Sequence, residues 1–149
     1  MTRGQFWHHV LARLGAPKTT QTRRAGMAWM QAEGGDSRHN PLNTSLRMPG
    51  STTVNDHGVQ HYVSDEQGIE ATVTTLLREK GHGYERIVRR LRMDAPAWAI
   101  VDAIIESDWG TGHEDAPGDD TVIEKVLDDI QHRRTPNRLR ELERRQIAN

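Results

Sequence analysis

Ala25-Gly26-Met27-Ala28-Trp29-Met30-Gln31-Ala32-Glu33-Gly34-Gly35 reads as a short amphipathic helix that ends on a carboxyl. Ala25, Ala28, Trp29 and Ala32 fall on one stripe, and Glu33 stands one turn beyond Trp29 at its edge. Gly34-Gly35 stops the helix, so the carboxyl lies at the negative end of the helix dipole. Partial desolvation and the dipole both favour the protonated acid. An acid that keeps its proton near neutral pH is what glycosidic bond cleavage requires of a proton donor. Glu33 is therefore the leading catalytic candidate, against the plainer alternative of a glutamate that solvates a helix end.

Upstream, Phe6, Trp7, Val10, Leu11 and Leu14 recur at helical spacing until Gly15 and Pro17, which predicts a first helix. Thr20 or Thr22 is placed to cap the second. Downstream, Asn40-Pro41-Leu42-Asn43-Thr44 opens a stretch rich in Thr, Ser, Gly and Pro. Within it, Thr52-Thr53-Val54 and Val59-Gln60-His61-Tyr62-Val63 flank the turn Asn55-Asp56-His57-Gly58, which predicts a small β-hairpin. Ser64-Asp65-Glu66-Gln67 has capping-box spacing, and Ile69, Val73, Leu76 and Leu77 carry a third helix to Gly81. Tyr84, Ile87, Val88 and Leu91 mark a fourth, and Pro96 starts a fifth containing Trp98, Val101, Ile104 and Ile105. An acidic linker, His113-Glu114-Asp115-Ala116-Pro117-Gly118-Asp119-Asp120, precedes a sixth helix on Val122, Ile123, Val126, Leu127 and Ile130, which Pro136 interrupts before an arginine-rich run. The expected organisation is α+β, mainly α, with a working domain at 1–112 and the linker plus a C-terminal helical extension at 113–149.

A chain of 149 residues suits one domain with a modest core. Hydrophobic residues make up 34% and charged ones 28%, so that core must come from narrow stripes and the four tryptophans. The formal net charge of -1 gives no overall attraction to nucleic acid or to an anionic membrane. Cysteine is absent, which excludes disulfides, thiol catalysis and cysteine zinc sites. Phe6-Trp7-His8-His9 near the start forms no apolar signal region, and no window approaches a membrane span, so neither a signal peptide nor a membrane partner is expected.

Glu33, the Asn40-to-Thr44 stretch, Gly50-Ser51-Thr52, Gly58-Val59, Tyr62, Ser64, Gln67-Gly68-Ile69 and Trp109-Gly110-Thr111, taken in that order, resemble the lysozyme-like superfamily. The likeness is nearest to small phage proteins and extends to glucosaminidase and transglycosylase domains. It covers roughly Phe6 to Thr111, and the ordered set carries it rather than any single piece. The resemblance implies a helical domain with a small hairpin after the catalytic helix, Glu33 as general acid, and bacterial peptidoglycan as substrate. It implies Asn40, Asn43, Thr44, Tyr62 and Trp109 as sugar-binding groups, through amides, hydroxyls and rings. For Asn40, Asn43 and Thr44 ordinary turn chemistry is the competing account, for Tyr62 hairpin packing, and for Trp109 a plug at the base of the core. Asp36 and Asp56 are the nearby candidates for a second carboxylate, although both sit in turns. Hydrolysis and lytic transglycosylation, which works with one Glu, both remain open. The family's frequent Glu-Ser-Gly reads Glu33-Gly34-Gly35 here, without a hydroxyl beside the acid.

No cofactor is implied. His57 and His61 straddle a turn and a strand without a third ligand at zinc spacing, so no metal is expected, and Asp115, Asp119 and Asp120 lack calcium-loop spacing. Arg133, Arg134, Arg138, Arg140, Arg144 and Arg145 form a basic run, but the aromatic residues that single-strand binders interleave are missing and nucleic acid is not the expected partner. Leu139, Leu142 and Ile147 give that run an apolar edge fit to dock on the domain or on phage structural proteins. The expected setting is a phage virion, or the host cytoplasm before delivery to the cell wall. A non-catalytic tail or baseplate protein that holds glycan on the same scaffold is the alternative.

Overall fold

In the computed structural model, residues 1–78, 80–109 and 122–134 are described. Thr2 begins α1 (Arg3–Leu14): its hydroxyl accepts from Gln5 N–H while the Gln5 side chain accepts from Thr2 N–H. Phe6, Trp7, Val10, Leu11 and Leu14 form the buried face of α1. Thr19 caps α2 (Thr20–Glu33), in place of the expected Thr20 or Thr22. Thr22 is the reciprocal partner one turn in, where it is buried and also donates to Pro17 O at 2.8 Å. The helices α1 and α2 cross where Trp7 lies on Gly26, whose missing side chain leaves room for the indole: a Cβ there would stand 2.1 Å from Trp7 Cε2. Trp7 Nε1 donates to Thr22 O at 2.9 Å, which satisfies the one polar atom of a ring that is 1% exposed.

The two strands, β1 (Thr52–Thr53) and β2 (Gln60–His61), pair antiparallel with Thr52 opposite His61 and Thr53 opposite Gln60. They are shorter than expected because the chain after β2 bonds elsewhere. Tyr62 N–H donates to Arg38 O at 3.0 Å, and His61 Nδ1 accepts from Arg38 N–H at 2.8 Å. Ser64 accepts from Gln67 N–H at the start of α3 (Asp65–Arg78), as its spacing predicted. The Gln67 side chain reaches past Ser64 to accept from Val63 N–H and to donate to Pro49 O, fastening the hairpin base to α3. Gly68 brings α3 against the preceding loop, since a Cβ there would stand 1.8 Å from His39 O.

The helices α4 (Tyr84–Arg92) and α5 (Ala97–Glu106) follow, and α6 (Val122–Arg134) closes the described chain. The molecule is mainly helical with one small hairpin, an α+β arrangement. Trp98 is not part of the α5 core face: it is 63% exposed, and Ala97, Ile100, Val101, Ala103 and Ile104 face inward instead. Beyond the expected division near residue 112, α6 packs on the helices that precede it. Ile123 and Leu127 of α6 belong to the same buried cluster as Trp7, Trp29 and Ile104, with Val126 and Ile130 packed against it. Spaced one turn apart, they make an apolar stripe that α2 and α5 cover, so α6 completes the core rather than extending from it. The acidic linker and the arginines from Arg138 onward lie outside the described residues. No described helix is long and apolar enough to cross a membrane.

Candidate active site

Glu33 is the last residue of α2 and is half-buried. The next residue, Gly34, adopts a left-handed φ of 59° and donates its N–H to Met30 O and Gln31 O. A residue with a side chain is strained there, which accounts physically for glycine at this position. The chain then returns through two tight turns, with Asn40 N–H bonded to Ser37 O and Asn43 N–H to Asn40 O. Asn43 has a left-handed φ of 56°, a conformation asparagine tolerates better than most residues. From it, Asn43 Nδ2 stands 3.0 Å from Glu33 O and 3.2 Å from Glu33 Oε2. One amide thus satisfies a helix-terminal carbonyl and holds the carboxylate in a set direction.

Asn40, Thr44 and Tyr62 have a different part from the sugar contacts expected of them. Asn40 is 1% exposed, donates from Nδ2 to Thr44 O and Gln60 O, and accepts at Oδ1 from Thr44 N–H, all at 2.8 Å. The Thr44 hydroxyl is buried against that of Thr72 at 3.3 Å. Tyr62 donates its O–H to Leu46 O at 2.7 Å, and burial pushes its phenol above the ordinary range. These three side chains have their polar atoms engaged inside the protein, so they brace the loop that carries Asn43. A buried glutamine, Gln60, extends the brace to Thr53, Gly58 and Ser51.

Trp109 forms the second wall. Its Nε1 donates to Leu42 O at 3.0 Å, next to Asn43, and its partly exposed ring meets Trp29 and Tyr84 edge-on at 4.9 and 5.4 Å. It is a plug by its donor and contacts, with part of its ring left at the surface. Sequence reading did not single out what lies beyond it: His82 stacks on Tyr84 with centroids 5.4 Å apart, and His82 Nδ1 lies 3.1 Å from Asp108 Oδ2. Asp108 N–H also bonds His82 O at 2.8 Å, so the α4 start and α5 end are joined at the rim of the site. Partners 26 residues apart leave no local signal that could have found this pair.

Asp36 and Asp56 are both exposed, Asp36 in the bend after α2 and Asp56 at the hairpin tip. Neither has a side-chain bond among the described residues that ties it to Glu33. The site therefore consists of Glu33 clamped by Asn43, with Leu42 and Trp109 beside it and His82 with Asp108 at the rim. No family model, curated protein or solved structure matches the chain.

Proposed function

We propose that the chain cleaves the glycan strands of bacterial peptidoglycan, with Glu33 as the acid that protonates the departing sugar oxygen. The observation that carries this reading is the Glu33–Asn43 clamp: a half-buried carboxyl at a helix end, directed by an amide from the facing loop. A proton donor must hold its direction while the bond breaks, and a positioned carboxyl at the meeting of a helical body and a hairpin-bearing loop meets that need. The ordered motifs from Glu33 to Trp109 support the same reading through their resemblance to lysozyme-like proteins. Asn43 then acts as a positioning residue, and the exposed part of Trp109 as an apolar wall for a sugar ring. A phage virion, or host cytoplasm before release to the wall, is the proposed setting.

Purified wild type and Glu33→Gln, which keeps shape and removes the acid, are compared on cell-wall sacculi. Release of soluble fragments by wild type, abolished in Glu33→Gln, is the expected result. New reducing ends identify hydrolysis, and anhydro-sugar ends identify transglycosylation, in which the substrate's own hydroxyl attacks and no second carboxylate is needed. Binding to sacculi without fragment release from either protein refutes cleavage and supports a glycan-holding structural protein.

A further inference from the structure

Between α4 and α5 lies a recess of about 250 Å³ lined by Gly83, Glu85, Arg86, Arg89, Ala103 and Glu106. Two of its charged groups neutralise each other, since Arg86 is paired with Glu106. Glu85 and Arg89 have no side-chain partner among the described residues, although they stand one helical turn apart. The recess therefore keeps one unpaired charge of each sign, on a floor made small by Gly83 and Ala103.

Its place in the fold connects it to the site. Gly83 lies between His82 and Tyr84, which form the rim and stack towards Trp109, and Glu106 precedes the Asp108–Trp109 pair at the end of α5. The recess is thus joined to the Trp109 wall through the ring contacts of His82, Tyr84 and Trp109.

A strand without its peptide carries only the lactyl carboxylates fixed close to alternate sugar rings and no ammonium group, so it gives Glu85 nothing in return for desolvation. The peptide that substitutes alternate sugars of peptidoglycan carries free carboxylates and, where a diamino acid is present, an ammonium group. A guanidinium matches a carboxylate through paired N–H donors, and a carboxylate accepts from an ammonium. We infer that the Glu85–Arg89 recess binds the charged peptide substituent of the glycan, Arg89 taking a carboxylate and Glu85 an ammonium, so that peptide-bearing strands are preferred over bare ones. This rests on the reading of the chain as a glycan-cleaving enzyme.

The test measures kcat/KM for wild type, Arg89→Ala and Glu85→Gln on soluble peptidoglycan strands and on the same strands stripped of peptide by an amidase. Wild type is expected to favour the peptide-bearing strands. The ratio of the two values should fall about tenfold in Arg89→Ala, as for loss of one charge-assisted hydrogen bond at a partly solvated site. It should fall less as salt is raised, because the wild-type preference itself is screened. Arg89 is exposed, and thermal melting confirms that the variants are folded. A wild-type ratio near one, or a ratio unchanged by both substitutions, overturns the recess assignment while leaving glycan cleavage standing. Cleavage of neither substrate by folded wild type overturns both.

Discussion

Replacing Asn40 with alanine removes three hydrogen bonds of 2.8 Å from a side chain that is 1% exposed. Thr44 O retains the Gln60 N–H at 3.2 Å, so the groups left without a partner are Thr44 N–H and Gln60 O. Orphaning two buried backbone groups and losing the third bond amounts to about 3 kcal/mol. For a chain of this size that lowers Tm by roughly 6–12 °C. Asn40→Asp, isosteric but without either donor, aims a carboxylate at two carbonyl oxygens and should be at least as destabilising. Both variants are followed by circular dichroism on heating and by urea titration, with cleavage of sacculi measured well below the melting range. Under the proposed function, because Asn40 anchors Thr44 beside Asn43, its loss should reduce kcat more than it raises KM. A Tm within about 2 °C of wild type, combined with a raised KM, would show instead that Asn40 reaches the substrate.

Tyr62→Phe deletes the hydroxyl that donates to Leu46 O and should cost about 1 kcal/mol at neutral pH. The phenol is held neutral by burial, with its folded pKa above the ordinary 10.0, so its contribution persists below about pH 10 and erodes as pH rises past that point, where only the unfolded chain ionises. The stability gap between wild type and Tyr62→Phe should therefore hold steady up to about pH 9 and narrow above about pH 10, and an unchanged gap in urea titrations across that range contradicts the burial argument. Gly26→Ala places a methyl 2.1 Å from the Trp7 indole, which must tilt and give up its bond to Thr22 O. The expected loss is about 3 kcal/mol, with a shifted tryptophan emission; unaltered stability and emission would mean that Trp7 does not lie on α2.

The helices were legible because their stripes are long and periodic. Phe6 to Leu14 and Ile87 to Leu91 place apolar groups one turn apart and are buried where the spacing put them, whereas of the α6 stripe Ile123 and Leu127 are buried, Val126 and Ile130 partly so, and Val122 is exposed. Helix starts were less legible: Thr20 or Thr22 was the expected cap of α2, and Thr19 takes that place with Thr22 as its reciprocal partner. Trp98 misleads for a related reason: its position at the start of α5 fits the stripe within a residue, but the neighbouring Ala97 and Ile100 take the inward face. At the site, Glu33 could be placed at a helix end from Gly34-Gly35 alone. The separation of Asn43 from Asn40 and Thr44 could not be read, because all three are short polar residues in one turn-rich stretch. Only the backbone path decides that Asn43 turns out to Glu33 while its neighbours turn in to Gln60 and Thr72.

Both walls of the site depend on the two adjacent residues Leu42 and Asn43. Asn43 holds Glu33, and Leu42 O receives the indole N–H of Trp109 from 67 residues further along the chain. Trp109 is in turn fixed by Trp29, one helical turn before Glu33 on the same helix, and Trp29 meets Trp7 edge-on with centroids 6.0 Å apart. The contacts close a circuit from α2 through the loop to the end of α5 and back to α2. A change at any member is felt by the carboxyl, because close-packed aromatic contacts and short hydrogen bonds transmit displacement rather than absorb it. The rim pair His82 and Asp108 lies outside that circuit and is exposed. Under the proposed function, variation there alters what is bound without disturbing how Glu33 is held, which places freedom to change specificity at α4 and α5 and constraint at α2 and its loop.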